Sequence, residues 1–254
     1  MRRIKLTVEY DGTNYYGWQF QKGQITIQES IERAFKTIFK KHIRVTAAGR
    51  TDTGVHARCQ VVHADIPGYD LNRLKRSLNG ILEKDIRIKT AEPCADDFHA
   101  RFDATIRRYR YTIALTPAAL DRNFVWQIHD RLNLTLMQEG ARIIAGTENF
   151  QAFCKLKSEV NHYVCRIYES RWFIKDERLI YEIAADRFLH GMVRAIVGSL
   201  IDLGRGMFTL GQFREIIASG DRTKIITTAP PTGLVLDYVG YEPINKGTEY
   251  EVFY

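Results

Sequence analysis

Apolar and polar residues alternate through Ile4, Leu6, Val8 and Tyr10, the period of a strand with one buried face. A loop rich in Gly and aromatic residues follows. Thr26 and Glu29 then form a capping-box pair ahead of Ile27, Ile31, Ala34, Phe35, Ile38 and Phe39, whose helical spacing predicts a core-facing helix. Residues 43 to 48 and 58 to 66 read as strands, because Val45, Val61 and Val62 are β-branched and the runs are bounded by Gly and Pro. Asp70 caps a second helix through Leu71, Leu74 and Leu78 that ends near Asn79 and Gly80, and residues 85 to 91 return as a strand. The resulting order, β-α-β-β-α-β, is that of the ferredoxin-like split βαβ unit, an antiparallel sheet with two helices on one face.

The second half repeats that order loosely. A strongly alternating strand runs from Thr105 to Leu115, with a short one around Phe124 to Ile128, then a helix capped by Thr135 and Gln138 that stops at Gly146. Two strands, about 163 to 175 and 178 to 186, flank a turn at Lys175-Asp176-Glu177. A helix from about Phe188 to Leu203, a shorter one capped by Thr209 and Gln212, and a strand through Leu234, Leu236 and Tyr238 complete the chain. The pattern predicts an α+β protein of two tandem ferredoxin-like (RRM-like) units with antiparallel sheets, 1–104 and 105–254, and an active-site cleft between them. No low-complexity linker separates the halves, so they are expected to pack tightly.

Composition narrows this picture only modestly. The 254 residues suit one large domain or two modest ones, and 45% hydrophobic with 26% charged residues describes an ordinary globular chain. A net charge of +7, of which +5 falls before Thr105, favours a polyanionic partner without proving one. Cys59, Cys94, Cys154 and Cys165 show no Cys-x-x-Cys spacing, so neither zinc nor a disulfide framework is indicated, and reduced thiols fit a cytoplasmic protein. The start is basic but alternates instead of leading into an apolar run, and no stretch is long and apolar enough to span a bilayer, so no membrane association is expected. Phosphate-loop, dinucleotide-binding and His-Glu-x-x-His metal patterns are missing from the sequence.

Three places carry candidate chemistry. Between two predicted strands, Gly49 and Gly54 bracket Arg50 and Asp52, and such glycines let a loop turn sharply. Arg50, two residues from Asp52, would favour the ionised carboxylate and so a nucleophile or base, although Asp and Gly equally suit a plain hairpin turn. On the strand 105–115, Arg107, Tyr109 and Tyr111 share one face while Arg108 and Arg110 share the other. Rings interleaved with Arg suit stacking on bases beside phosphate contacts, and equally an edge strand with core Tyr and solvated Arg. On the predicted helix 188–203, His190 and Arg194 stand one turn apart on one side, and a charge on so apolar a helix needs either a partner or a path to the surface.

Ordered blocks choose among these readings. Gly49-Arg50-Thr51-Asp52-Thr53-Gly54-Val55-His56 resembles the catalytic motif of the tRNA pseudouridine synthase A (TruA) family. Matching blocks follow in the family's order at residues 9–19, 97–102, 107–111 and 188–198, with a weaker one at 229–236. The resemblance implies an isomerase that converts uridine to pseudouridine at positions 38, 39 and 40 in the anticodon stem-loop of tRNA, as a homodimer needing no metal or other cofactor. It implies Asp52 as nucleophile, Arg194 as its counter-ion, Arg50 as the residue that helps displace the base, and Tyr109 as the stacking face. Arg107, Arg108, Arg110 and His190 are expected to contact RNA. Two departures stand out: Thr53 where the family has a smaller residue, and Asp186 where it usually has Asn, which brings a carboxylate near the expected cleft. A non-catalytic RNA-binding module on ferredoxin-like domains is the alternative, and it leaves the Asp52 loop unexplained. A glycoside hydrolase would want a second carboxylate across the cleft, and none emerges.

Overall fold

The computed structural model of the protein describes residues 1–156, 158 and 160–243. Its strands are β1 (Arg2–Tyr10), β2 (Thr46–Ala47), β3 (His56–Ile66), β4 (Ile86–Pro93), β5 (Ile106–Ala114), β6 (Trp126–Gln127), β7 (Ile167–Lys175), β8 (Arg178–Ala185) and β9 (Leu234–Gly240). The helices are α1 (Ile27–Phe39), α2 (Leu71–Ile81), α3 (Leu134–Ala145), α4 (Met192–Gly204) and α5 (Leu210–Ser219).

The sheet runs β4-β1-β3-β9-β5-β8-β7, with β2 on β3 and β6 on β5. With the two-residue β6 set aside, each half takes the same order of its own strands, fourth, first, third, second: β4-β1-β3-β2 and then β9-β5-β8-β7. Where the sequence predicted two separate antiparallel sheets, the strands form one continuous mixed sheet. β3 and β9 run parallel, with His56 opposite Val235 and Ala57 opposite Leu236. This short pairing joins the two halves at the junction. Ile4, Leu6, Val8 and Tyr10 of β1 are buried on one face, and residues of all five helices join them in a single core.

Local chemistry explains most boundaries. Thr26 caps α1 by accepting the Glu29 amide, Asp70 caps α2 by accepting that of Arg73, and α5 opens on a reciprocal capping box between Thr209 and Gln212. Two predicted helix starts move. Asn133, not Thr135, caps α3, because its Oδ1 accepts the Leu136 amide while Gln138 accepts the Trp172 amide of strand β7. Helix α4 begins at Met192 rather than Phe188: Gly191 takes a left-handed φ of 70°, which ends the preceding turn and starts the helix one turn late. The 43–48 strand shrinks to two residues, Thr46 and Ala47, since the chain leaves the sheet at Ala48 to build the Asp52 loop.

Candidate active site

The Asp52 loop is fixed from several directions. The Arg107 guanidinium donates to the Ala48 carbonyl at 2.9 Å, and Gln60 Nε2 donates to that of Gly49 at 2.7 Å. Thr51 Oγ1 lies 2.8 Å from the Tyr10 hydroxyl, and the Thr51 carbonyl accepts the Trp18 amide. The loop 11–17 lies against it so closely that a Cβ on Gly12 would sit 2.1 Å from the Val55 carbonyl oxygen, and one on Gly17 2.6 Å from that of Thr51. His56, buried at the base of β3, accepts the Gly12 amide through Nδ1, while its Nε2 lies 3.2 Å from the Thr232 carbonyl. Of the two glycines expected to shape the turn, only Gly54 has a positive φ, with Pro231 packed against it; Gly49 has open space beside it. Residues 9–19 therefore act as a backbone mould for the loop, a role that no charge or periodicity announced.

Asp52 meets its partners across the sheet. His190 Nε2 lies 3.2 Å from Oδ1 and Arg194 Nη1 lies 3.6 Å from Oδ2. Burial by itself would raise the carboxyl pKa, but the hydrogen bond and charge of His190, with the charges of Arg194 and Lys155, more than offset it and hold the group below the usual aspartate value. Arg50, expected to do this, is exposed, and the named influences on Asp52 come from the other half of the chain. Arg194 is aimed by its own backbone neighbourhood: Nε donates to the Ala229 carbonyl at 2.7 Å, and the Ala229 amide donates back to the Arg194 carbonyl. His190, expected to contact RNA from within a helix, instead lies in the turn before α4 and hydrogen-bonds the carboxylate. Lys155 was missed, since it falls in a segment without a motif; its amide donates to the His190 carbonyl.

The two faces of β5 are used differently. Tyr109 is buried, its ring edge-on to Phe188 at 5.1 Å, and its hydroxyl hydrogen-bonds no described residue. Burial, helped by the Tyr10 hydroxyl and the Asp52 charge, raises its pKa well above the ordinary phenol value. Arg107 points to the same side, yet is consumed by structure: Nη1 donates to the Ala104 and Asp186 carbonyls and Nη2 to those of Ala48 and Arg101. Four of its five N–H donors are thus engaged by backbone carbonyls. Arg108 and Arg110 turn to the opposite face, where Arg108 pairs with Asp237 at 3.0 Å and Arg110 with Glu182 at 2.6 Å. Of the three arginines expected to contact RNA, alternation turns two away from Asp52, and four carbonyls engage the third. Asp186 does not face the carboxylate either; its Oδ1 accepts the Arg166 amide.

Among the described residues no cluster of three or more His, Cys, Asp or Glu could hold a metal ion, and no helix is long and apolar enough to cross a membrane. The arrangement offers an ionised carboxylate, a cationic fringe around it and an aromatic surface at its side, features that suit bond rearrangement at a polarised carbon. A family model described as tRNA pseudouridine synthase matches residues 6–103 and 141–242. The chain is 39% identical to tRNA pseudouridine synthase A of Bacteroides fragilis over 244 residues, covering 95% of this chain and 97% of that one. It is 40% identical over 247 residues to tRNA pseudouridine synthase A 2 of Clostridium perfringens, 95% and 100% of the two chains, and 36% identical over 248 residues to the synthase A of Exiguobacterium sibiricum, 97% and 100%.

Proposed function

The chain belongs to the tRNA pseudouridine synthase family and is an isomerase acting on tRNA; from that premise we propose that it converts uridine to pseudouridine at positions 38, 39 and 40 of the anticodon stem-loop. The reaction breaks the N1–C1′ bond and makes the C5–C1′ bond. The proton on C5 leaves and N1 gains one, so atoms and electrons balance without an oxidant or reductant. The uridine must come out of its stack, and the detached base must turn while it is held.

The observation that carries this reading is the Asp52 carboxylate, kept ionised by His190, Arg194 and Lys155 at the end of a rigid loop. Asp52 is the nucleophile, and Arg194 is the counter-ion that holds one of its oxygens and leaves the other to react. Before turnover His190 occupies the second oxygen; as an exposed side chain it can yield that place to substrate at small cost. Tyr109 stacks on the uracil. Because its phenol stays protonated, its oxygen takes the C5 proton only while passing on its own. Arg50, exposed at the loop tip, fills the space that the flipped nucleotide leaves.

The same proposal covers the assembly and setting. Residues 1–104 and 105–254 are two ferredoxin-like units, a reading supported by their identical strand orders, and the protein works as a cytoplasmic homodimer without a metal or other cofactor.

An unmodified tRNA transcript with uridine at 38, 39 and 40, incubated with the protein and mapped by mass spectrometry, should gain pseudouridine there, and a transcript with cytidine at those positions should gain none. Pseudouridine confined to other positions would overturn the site assignment. Tight tRNA binding with no pseudouridine anywhere would mark a non-catalytic RNA-binding module.

A further inference from the structure

Every buried arginine described so far is spoken for, which makes one half-buried arginine stand apart. Arg222, in the turn after α5, donates from Nη2 to Thr228 Oγ1 at 2.7 Å and is paired with no described carboxylate. The nearest acid in the chain, Asp221, gives its Oδ1 to the Thr223 amide and hydroxyl. Burial pushes the Arg222 pKa down, opposed in part by Cys154, and the like charge of Arg194 adds a further lowering. A guanidinium partly withdrawn from water beside a second guanidinium, with no carboxylate among the described residues to offset it, is costly unless a ligand supplies the charge.

Its location says which ligand. Thr228 is followed by Ala229, whose carbonyl holds Arg194 Nε, and Arg194 faces Asp52. The segment carrying them is clamped to α4: Asp202, fully buried, accepts the Thr227 amide at 3.0 Å and its hydroxyl at 2.8 Å. A Cβ on Gly198 would lie 2.1 Å from the Thr227 carbonyl oxygen, so helix and segment leave each other no room to slide. Lys155, exposed and likewise without a described acidic partner, is bonded through its amide to the His190 carbonyl and adds its charge on the Asp52 side. Lys155 therefore adds charge beside the carboxylate, while Arg222 stands beside Arg194, the carboxylate's partner, on the segment clamped to α4.

We propose that Arg222 and Lys155 form a phosphodiester-binding site for the RNA backbone next to the uridine that enters at Asp52. Extruding a nucleotide swings its flanking phosphates outward from the duplex, and a fixed pair of cations beside the reacting carboxylate holds the strand in that distorted path. The inference rests on Asp52 being the point of entry, but it is read by equilibrium binding, whereas that reading is tested by product formation, so either fails without the other.

The test is the salt dependence of tRNA binding, followed by fluorescence anisotropy with an unmodified transcript. Each phosphate contact contributes about 0.7 to 0.9 to the slope of log affinity against log salt. Arg222→Met and Lys155→Met should each lower the slope by about that amount, and Arg222→Lys should keep it. Replacing the linkages on either side of the target uridine, one at a time, by neutral methylphosphonate should at one linkage abolish the difference between the parent and Arg222→Met. Slopes equal to the parent's would overturn the site. So would an Arg222→Met defect that persists unchanged whichever flanking linkage is neutral. If Arg222→Met lowers the melting temperature sharply, Lys155→Met, at an exposed position, decides by the same criteria.

Discussion

Strand β5 presents Arg-Arg-Tyr-Arg-Tyr to two environments, and the contrast between its faces separates structural cations from those facing a ligand. On the face turned towards Asp52, Tyr109 keeps an unbonded hydroxyl, while Arg107 ties the Asp52 loop, the segment at Arg101 and the segment leading to His190 into one block. On the opposite face Arg108, Arg110, Arg171, Glu182 and Asp237 form an ion-pair network around the fully buried Glu182 side chain. Five adjacent residues of similar composition thus serve three purposes. What distinguishes them is where each charge or hydroxyl is already spent. By that standard the proposed phosphate contacts fall on Arg222 and Lys155 rather than on the arginines of β5.

The sharpest way to break this contrast is to attack the network that has no part in the chemistry. Glu182→Gln leaves three guanidinium groups facing a neutral side chain and should destabilise the fold by about 3 to 5 kcal/mol, measured by denaturant unfolding, with turnover per folded molecule unchanged. Although burial alone would raise its pKa, the hydrogen bonds from Arg110 and Arg171 hold the folded-state value of Glu182 below the ordinary one. The contribution is therefore present above the unfolded value of about 4.3 and lost as pH falls, so the parent and the variant should converge in acid. Turnover that collapses in the surviving folded protein would show that the far face does reach the site.

Arg107→Met should cost less, about 2 to 4 kcal/mol, because four carbonyls lose a donor and only part of that loss is recovered by water. Its salt slope for tRNA should equal the parent's, in contrast to Arg222→Met; a reduced slope would return Arg107 to the RNA. Arg194→Leu acts on the carboxylate itself. Without that charge the Asp52 pKa rises, so the acid limb of the rate profile should move to higher pH. An unmoved limb would mean that His190 and Lys155 suffice. The smallest effect is expected of Tyr109→Phe, which keeps the ring and most tRNA affinity yet slows release of tritium from uridine C5. Release at the parent's rate would leave Tyr109 only its stacking role.

The sequence made the strands and helices legible wherever one short-range rule governed them: alternation in β1 and β5, and Thr26, Asp70 and Thr209 as helix caps. It misplaced the start of α4 because an apolar run reads as helix whether or not Gly191 breaks it. The joining of both halves into one sheet was not legible either, since the β3–β9 pairing involves only two residues of each strand. At the site, Asp52 and Arg194 could be paired through a resemblance between distant blocks, but spacing alone offered only Arg50, whereas the ion pairs of the carboxylate are with His190 and Arg194. Spacing also could not show that Arg107 is engaged by four carbonyls, because backbone acceptors leave no mark on side-chain pattern. The moulding of the Asp52 loop by Gly12 and Gly17 is invisible for the same reason: it depends on what lies where a Cβ would be.

The central claim is that the chemistry depends on one ionised carboxylate, while the RNA is held by charges elsewhere. Asp52→Asn keeps the shape of the side chain and removes its charge. With an unmodified tRNA in single turnover, pseudouridine formation should fall by more than about a thousandfold while the Kd for tRNA, measured under the same conditions, stays within about threefold of the parent's. Conversion near the parent's rate, or a loss of product matched by an equal loss of binding, would contradict the account.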